Sequence, residues 1–405
     1  MNLKWLSVER YLVNLFVFLI PTQLALHFWL PGSFVFGIRV DYLAPSIYLT
    51  DILFVLIVAV WMVQERSMLL RNLETYKKYI VPAAVFIALN IFVSANWPIT
   101  LFRWVRLAEF FFIFCYFKLR AKKINLNVAK IIFCSLILFS LIGVSQVVLG
   151  GTVGGLLYYL GERNFNISTP GIALAQINGA QFLRAYSTFS HPNSFAGYAG
   201  VAIIYLLINN FFARNMWHLL GYGIILLSLV LTNSVWAILS LTIVAFLILI
   251  RKKANWSAYG MKSLILLIIA LSIITPLVAS KYPGVVTALA STVGERVGLS
   301  IIALKMIGEN FFLGVGLGNF IGVIPNYLSG VSGPWLLQPV HNIYLLFFSE
   351  TGIIGLVALL NLLWRKAAPK FYAIIVFVLL TGALDNYWAT LQQNGLLLAL
   401  ILGVL

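Results

Sequence analysis

Arg184 and Arg296 stand in separate polar stretches of a strongly apolar chain, Leu183-Arg184-Ala185-Tyr186 and Gly294-Glu295-Arg296-Val297. A guanidinium fork pairs bidentately with phosphate and keeps its proton at any working pH, so the two residues together suit a diphosphate. The plainer alternatives are an interfacial arginine that snorkels at position 184 and a local pair with Glu295 at position 296. His341 follows Pro339, which marks a helix start, in Gln338-Pro339-Val340-His341-Asn342. An imidazole at a helix mouth can take a proton from a hydroxyl, or it can simply bond a neighbouring loop. His191, in Ser190-His191-Pro192-Asn193, competes as the base and equally suits the shaping of its turn.

Arg103, Arg106 and Glu109 recur at steps of three inside an apolar run and therefore share one helical face. Ionisable groups in a membrane helix are costly and point into the bundle or a wet cavity. The triplet thus reads either as further diphosphate ligands, Arg103 and Arg106, or as a self-neutralising cluster that locks helix packing. Asn342, Glu350 and Asp385 are candidates to support His341. Gly314-Val315-Gly316-Leu317-Gly318 lacks the strand before it and the helix after it that a dinucleotide fold requires, so it reads as a flexible turn.

The elements that must position these residues follow from composition. Apolar residues make up 62% of the 405 and charged ones only 9%, which excludes an ordinary water-soluble enzyme. With a spanning helix needing about 20 apolar residues, the chain offers about twelve candidate spans, near 9–30, 44–64, 79–97, 99–118, 127–149, 193–212, 216–233, 234–250, 262–280, 340–362, 371–387 and 389–404. The expected fold is all-α and polytopic, a single transmembrane domain over 1–405, with a tight hairpin at Asn233–Ser234. The first run is too long for a cleaved signal peptide and is expected to be retained.

The net charge of +16 is foremost a topology signal. Most of the 27 Lys and Arg fall on one side, which the positive-inside rule makes cytoplasmic along with both termini. Arg39, Arg103, Arg106, Arg163, Arg184, Lys281, Arg296 and Lys305 are left outside or near the outer face, against the bias. Two outer loops, 150–192 and 281–340, are long enough to be folded caps. In the second, Val286, Leu289, Val293, Val297, Ile301, Leu304 and Ile307 recur at helical spacing, predicting an amphipathic helix of about 20 residues on the membrane surface. Cys115 and Cys134 both lie in apolar runs and the four histidines show no HExxH spacing, so neither a disulfide framework nor a metal site is expected.

Taken together, Arg184 ahead of Phe189, Pro192, Asn193 and Ala196, then Arg296 leading to Gly314–Phe320, then His341-Asn342-Ile343-Tyr344 with Glu350-Thr351-Gly352, resemble the O-antigen ligase family, which is related to O-antigen polymerases and bacterial protein O-oligosaccharyltransferases. The resemblance covers roughly 180–356 closely and the rest by span count. It implies a glycosyltransferase without metal or other cofactor that moves a glycan from an undecaprenyl diphosphate carrier to an acceptor at the outer face of the bacterial cytoplasmic membrane. The acceptor is a glycan, a lipid or a protein; membrane lipids surround the chain and nucleic acid is no partner. By the same resemblance, Arg184 and Arg296 hold the diphosphate and His341 activates the acceptor hydroxyl, with inversion at the anomeric carbon. Phe311-Phe312 stand where such sequences often carry a proline before the glycines. The rival readings are a surface polysaccharide polymerase, a polytopic transporter or flippase, and a non-catalytic scaffold.

Overall fold

The computed structural model describes residues 3–211, 215–251, 268, 291–328, 336–364 and 369–405. Of the expected features, the 262–280 span apart from Ile268, Lys281 and the stretches 281–290 and 329–335 lie outside the described residues.

Helices form where the apolar runs lie, and polar residues punctuate them. They are α1 (Leu3–Leu19), α2 (Leu49–Phe92), α3 (Trp97–Arg120), α4 (Val128–Leu149), α5 (Pro192–Ile208), α6 (Met216–Leu231), α7 (Val235–Arg251), α8 (Ser291–Glu309), the short α9 (Phe320–Val323), α10 (Ile343–Trp364), α11 (Pro369–Gly382), the short α12 (Tyr387–Thr390) and α13 (Gln392–Val404). The Asn127 and Asn215 side chains accept the Lys130 and His218 N–H groups and start α4 and α6. Asn233, at φ 48°, makes the left-handed step that closes the α6–α7 hairpin. The structure is mostly helical, and among the described residues three two-stranded antiparallel sheets lie outside the bundle.

The helical run α2 covers 44 residues with Pro82 inside it, and as a straight rod it would be roughly 66 Å long. Yet Asp51, at one end, pairs with Arg106, and Asn90, at the other, accepts the Trp104 indole N–H at 2.9 Å. Arg106 and Trp104 sit within one turn of α3, so the two ends of α2 lie level and the run doubles back. Its apolar arms are Leu49–Gln64 and Ile80–Phe92. Among the described residues, Val128–Leu149 and Ile343–Asn361 are long and apolar enough to cross a membrane by themselves, and the other apolar helices are shorter. Length and composition thus mark two candidate spans among the described residues, and the other runs that hydropathy suggests fold as shorter or more charged helices or lie outside them.

The expected first span at 9–30 ends early. After α1 stops at Leu19, residues 20–48 form a cap of two small sheets, β1 (Ala25–His27) with β4 (Ser46–Tyr48) and β2 (Phe34–Val35) with β3 (Ile38–Arg39). Hydropathy overran here because the segment is apolar, whereas Pro21, Pro31 and Pro45 break its helix. A third pair, β5 (Leu174–Ile177) with β6 (Ala180–Leu183), lies in the 150–192 cap. The caps meet at one end of the bundle: Thr22 Oγ1 donates to Leu160 O at 2.6 Å and Thr188 Oγ1 to Pro21 O at 2.6 Å.

Two large apolar cores result among the described residues, besides a small cluster of Phe165, Leu183 and Tyr186 in the 150–192 cap. The larger fills the bundle around α5, which is buried along most of its length between α4, α6, α7, α11 and α13. The smaller joins Leu299, Ala303 and Met306 of α8 to Phe320, Ile324, Val340 and Leu345, and reaches Val35 and Leu43 of the first cap. In the second loop α8 forms over Ser291–Glu309 and packs on α10; Val286 and Leu289 of the expected helix lie outside the described residues.

The helix α10 breaks at Gly352, whose φ of 67° and ψ of −171° leave the helical region. A break frees backbone groups that an apolar surrounding would penalise. Here the 311–316 strand of chain fills it: Ile353 N–H donates to Phe311 O at 2.8 Å, Val315 N–H to Ser349 O at 2.9 Å and Gly316 N–H to Glu350 O at 3.0 Å. The glycine-rich turn is therefore a packed plug rather than a flexible one.

Candidate functional site

Where the caps close over the bundle, four chain segments bring charged side chains together around Asp385, in the turn between α11 and α12. The Asp385 carboxylate lies 3.6 Å from His341 Nδ1 and 4.0 Å from an Arg296 Nη, and it accepts the Asn193 amide N–H at 3.1 Å. Asn193 in turn accepts from Arg184 Nη2 at 2.5 Å. The structure thus brings Arg184, just after β6, Arg296 of α8 and His341, at the mouth of α10, around one carboxylate.

Each arginine is pinned by a carbonyl just past a helix end. Arg184 Nε donates to Thr232 O, the C-cap of α6, at 2.6 Å. Arg296 Nη1 donates to Leu384 O, after α11, at 2.9 Å. Carbonyls there carry the negative end of the helix dipole and hold a cation without neutralising it. Burial lowers the Arg184 pKa from its ordinary value, and the charge of Arg296 adds to the effect. Two guanidiniums facing one carboxylate leave a positive surplus that an incoming anion relieves.

His341 is held by its neighbours in sequence. Asn386 Nδ2 donates to Pro339 O at 2.9 Å, tying the 338–342 segment beside Asp385. The Asn342 side chain accepts the Tyr344 and Leu345 N–H groups at 3.0 and 3.1 Å and so caps α10, which is its part in the site. His341 Nε2 stands 3.2 Å from Gln338 Oε1, while Nδ1, turned toward Asp385, is buried without a hydrogen bond.

His191 is the N-cap of α5, its Nδ1 accepting the Asn193 N–H at 3.1 Å. The surrounding protein and the Arg184 charge push its pKa down to about 4, and its solvent-exposed edge tempers the first of these. With Nδ1 already accepting a backbone N–H and its pKa pushed down, His191 suits the shaping of the turn.

The remaining candidates belong elsewhere. Arg106 grips Asp51 with both Nη atoms, at 2.6 and 2.9 Å, and also donates to Glu109 at 2.6 Å and Ser46 O at 2.8 Å. That is the self-neutralising lock, with its donors already used. Arg103 donates to Tyr42 O at 2.7 Å and lies against Gly318. Glu350 does not face His341; its carboxylate accepts the Phe320 N–H at 3.2 Å and fixes the plug in α10. Tyr42 is within electrostatic reach of both groups, of Asp385 and Arg163 on one side and Arg103 on the other.

Sequence reasoning missed the linking roles of Asn193, Gln338 and Asn386. An asparagine one residue after a Pro reads as part of a helix start, and only the neighbours brought in from residues 184 and 385 reveal its second use.

Among the described residues, Arg184, Arg296 and His341 gather beside Asp385 where the caps close over a helical, apolar bundle. Residues 220–360, about a third of the chain, match the family model described as O-antigen ligase, and over that stretch the chain is similar to that family. The matched stretch contains Arg296, the plug and His341, and Arg184 lies before it. The family is one of membrane proteins and implies an enzyme of glycosyltransferase type in polysaccharide biosynthesis. No curated protein matches the chain.

Proposed function

We propose that this chain transfers a glycan from an undecaprenyl diphosphate carrier to an acceptor hydroxyl at the outer face of the bacterial cytoplasmic membrane. The observation that carries the reading is the meeting of Arg184, Arg296 and His341 around Asp385 from segments far apart in sequence. Arg184 and Arg296 bind the diphosphate. His341 takes the acceptor proton as the acceptor oxygen bonds to the anomeric carbon, and the carbon–oxygen bond to the diphosphate breaks with its electron pair. Attack opposite the leaving group inverts the centre. The guanidiniums meet the charge that develops on the leaving diphosphate, the preorganised role that gives such groups their effect. Asp385 orients the imidazole and balances the charge it gains. No metal or other cofactor has a part in this step.

Purified protein supplied with a lipid-linked glycan and an acceptor tests the reading. Transfer is expected from the wild type, and its loss in Arg184→Ala and His341→Ala with unchanged membrane insertion and abundance. Full activity in His341→Ala removes the base assignment. A ladder of products formed without a second acceptor identifies a polymerase using the same chemistry.

A further inference from the structure

Asn193 joins the two halves of the site, and its amide has a fixed sense. Arg184 can only donate, so it faces Asn193 Oδ1, at 2.5 Å; the Asp385 carboxylate can only accept, so it faces Nδ2, at 3.1 Å. A single neutral group therefore stands between a guanidinium and a carboxylate that would otherwise attract each other directly. Were they to close into an ion pair, Arg184 would spend its fork on Asp385, as Arg106 spends its own on Asp51, and Asp385 would turn from His341. The backbone makes the spacer rigid: Asn193 follows Pro192 at the first turn of α5, with its N–H held by His191 Nδ1 at 3.1 Å.

We propose that Asn193 is a positioning residue that insulates Arg184 from Asp385, keeping the arginine open to a diphosphate and the carboxylate directed at His341. The inference rests on the function proposed above. It makes the residue a determinant of donor affinity rather than only a member of the first turn of α5.

The test uses full-length protein in detergent or nanodiscs, with glycan transfer and the binding of farnesyl diphosphate as readouts. In Asn193→Asp, a carboxylate meets Arg184 and repels Asp385. The expected result is a donor KM and a farnesyl diphosphate Kd raised about tenfold, the equivalent of 1.4 kcal/mol. The exchange variant Asn193→Asp with Asp385→Asn restores every donor–acceptor match along the chain from Arg184 to residue 385, so it should unfold at the wild-type temperature. Its carboxylate now lies beside Arg184 and its amide beside His341. The donor KM should stay high and kcat should fall. A purely structural role predicts that the exchange variant recovers KM and kcat together with stability, and that result overturns the proposal. So does an Asn193→Asp protein whose KM and Kd stay within about twofold of wild type. If Asn193→Asp does not fold, the exchange variant and Asn193→Ser decide by the same readouts. A folded wild type that neither transfers glycan nor binds the diphosphate overturns the function reading and this inference with it, whereas an active wild type with a normal Asn193→Asp overturns this inference alone.

Discussion

Two regions of the molecule use the arginine side chain to opposite ends. Arg120 is fully buried against Glu9, which also accepts from Tyr116 at 2.7 Å and from Gln64 at 3.0 Å. Glu9 meets its charge, and α1, α2 and α3 are locked together through the pair. Around Asp385, two arginines share one carboxylate at 4.0 Å and through an asparagine, and both are pinned by helix-end carbonyls instead of counter-ions. A buried arginine with a carboxylate of its own holds structure. One held in place but left short of negative charge can hold a ligand.

The comparison breaks most visibly at the lock. Removing one partner of a buried pair strands the other charge, at a cost of roughly 3–5 kcal/mol. Glu9→Ala or Arg120→Ala should therefore sharply lower the yield of folded protein and the unfolding temperature in detergent, while the double change Glu9→Leu with Arg120→Met should recover much of both. At the other end the sign reverses. Arg184→Ala and Arg296→Ala should leave the unfolding temperature nearly unchanged and reduce glycan transfer by about 10²–10³, the usual loss for one charge-stabilising group. Arg184→Lys keeps the charge without the fork and should fall between.

Arg106 sharpens the contrast, because its sequence position suggested a ligand and its partners make it a lock. Arg106→Met should cost stability, with donor KM and per-molecule kcat close to wild type in the fraction that folds. A raised donor KM would place it in the diphosphate site after all.

How far the sequence could reach follows from which of these partners are local. The arginines and histidine stood out because they oppose the topology bias or open a helix, properties of type and position. Helix positions followed from hydropathy wherever a polar cap or a Pro ended the run, as at Asn127 and Asn215. The 20–48 cap was misread because hydropathy registers that residues are apolar and not whether prolines let them stay helical. What gives Arg106 and Arg184 different roles lies 55 and 201 residues away in Asp51 and Asp385. No spacing rule contains that information; only the doubling back of α2 and the closing of the caps create it.

The smallest expected effect concerns His191, which sits within the site without serving as its base. With its pKa pushed down to about 4 in the folded protein and about 6.5 in an unfolded chain, His191 binds more proton when unfolded anywhere between those values. Stability therefore holds above about pH 6.5 and is lost as pH falls toward 4. Protonation also ends the Nδ1 acceptance of the Asn193 N–H, so the same window should loosen the start of α5 and the spacer it carries. Because the ring is exposed at its edge, solvent screens much of this, and the fall should be shallow. Thermal unfolding in detergent between pH 7 and 4 measures it. Asn in place of His191 keeps a capping acceptor without a titrating ring, and His191→Asn should flatten this part of the profile while the lock at Glu9 and Arg120 stays untouched. An unchanged slope in that variant would assign the acid sensitivity to another group.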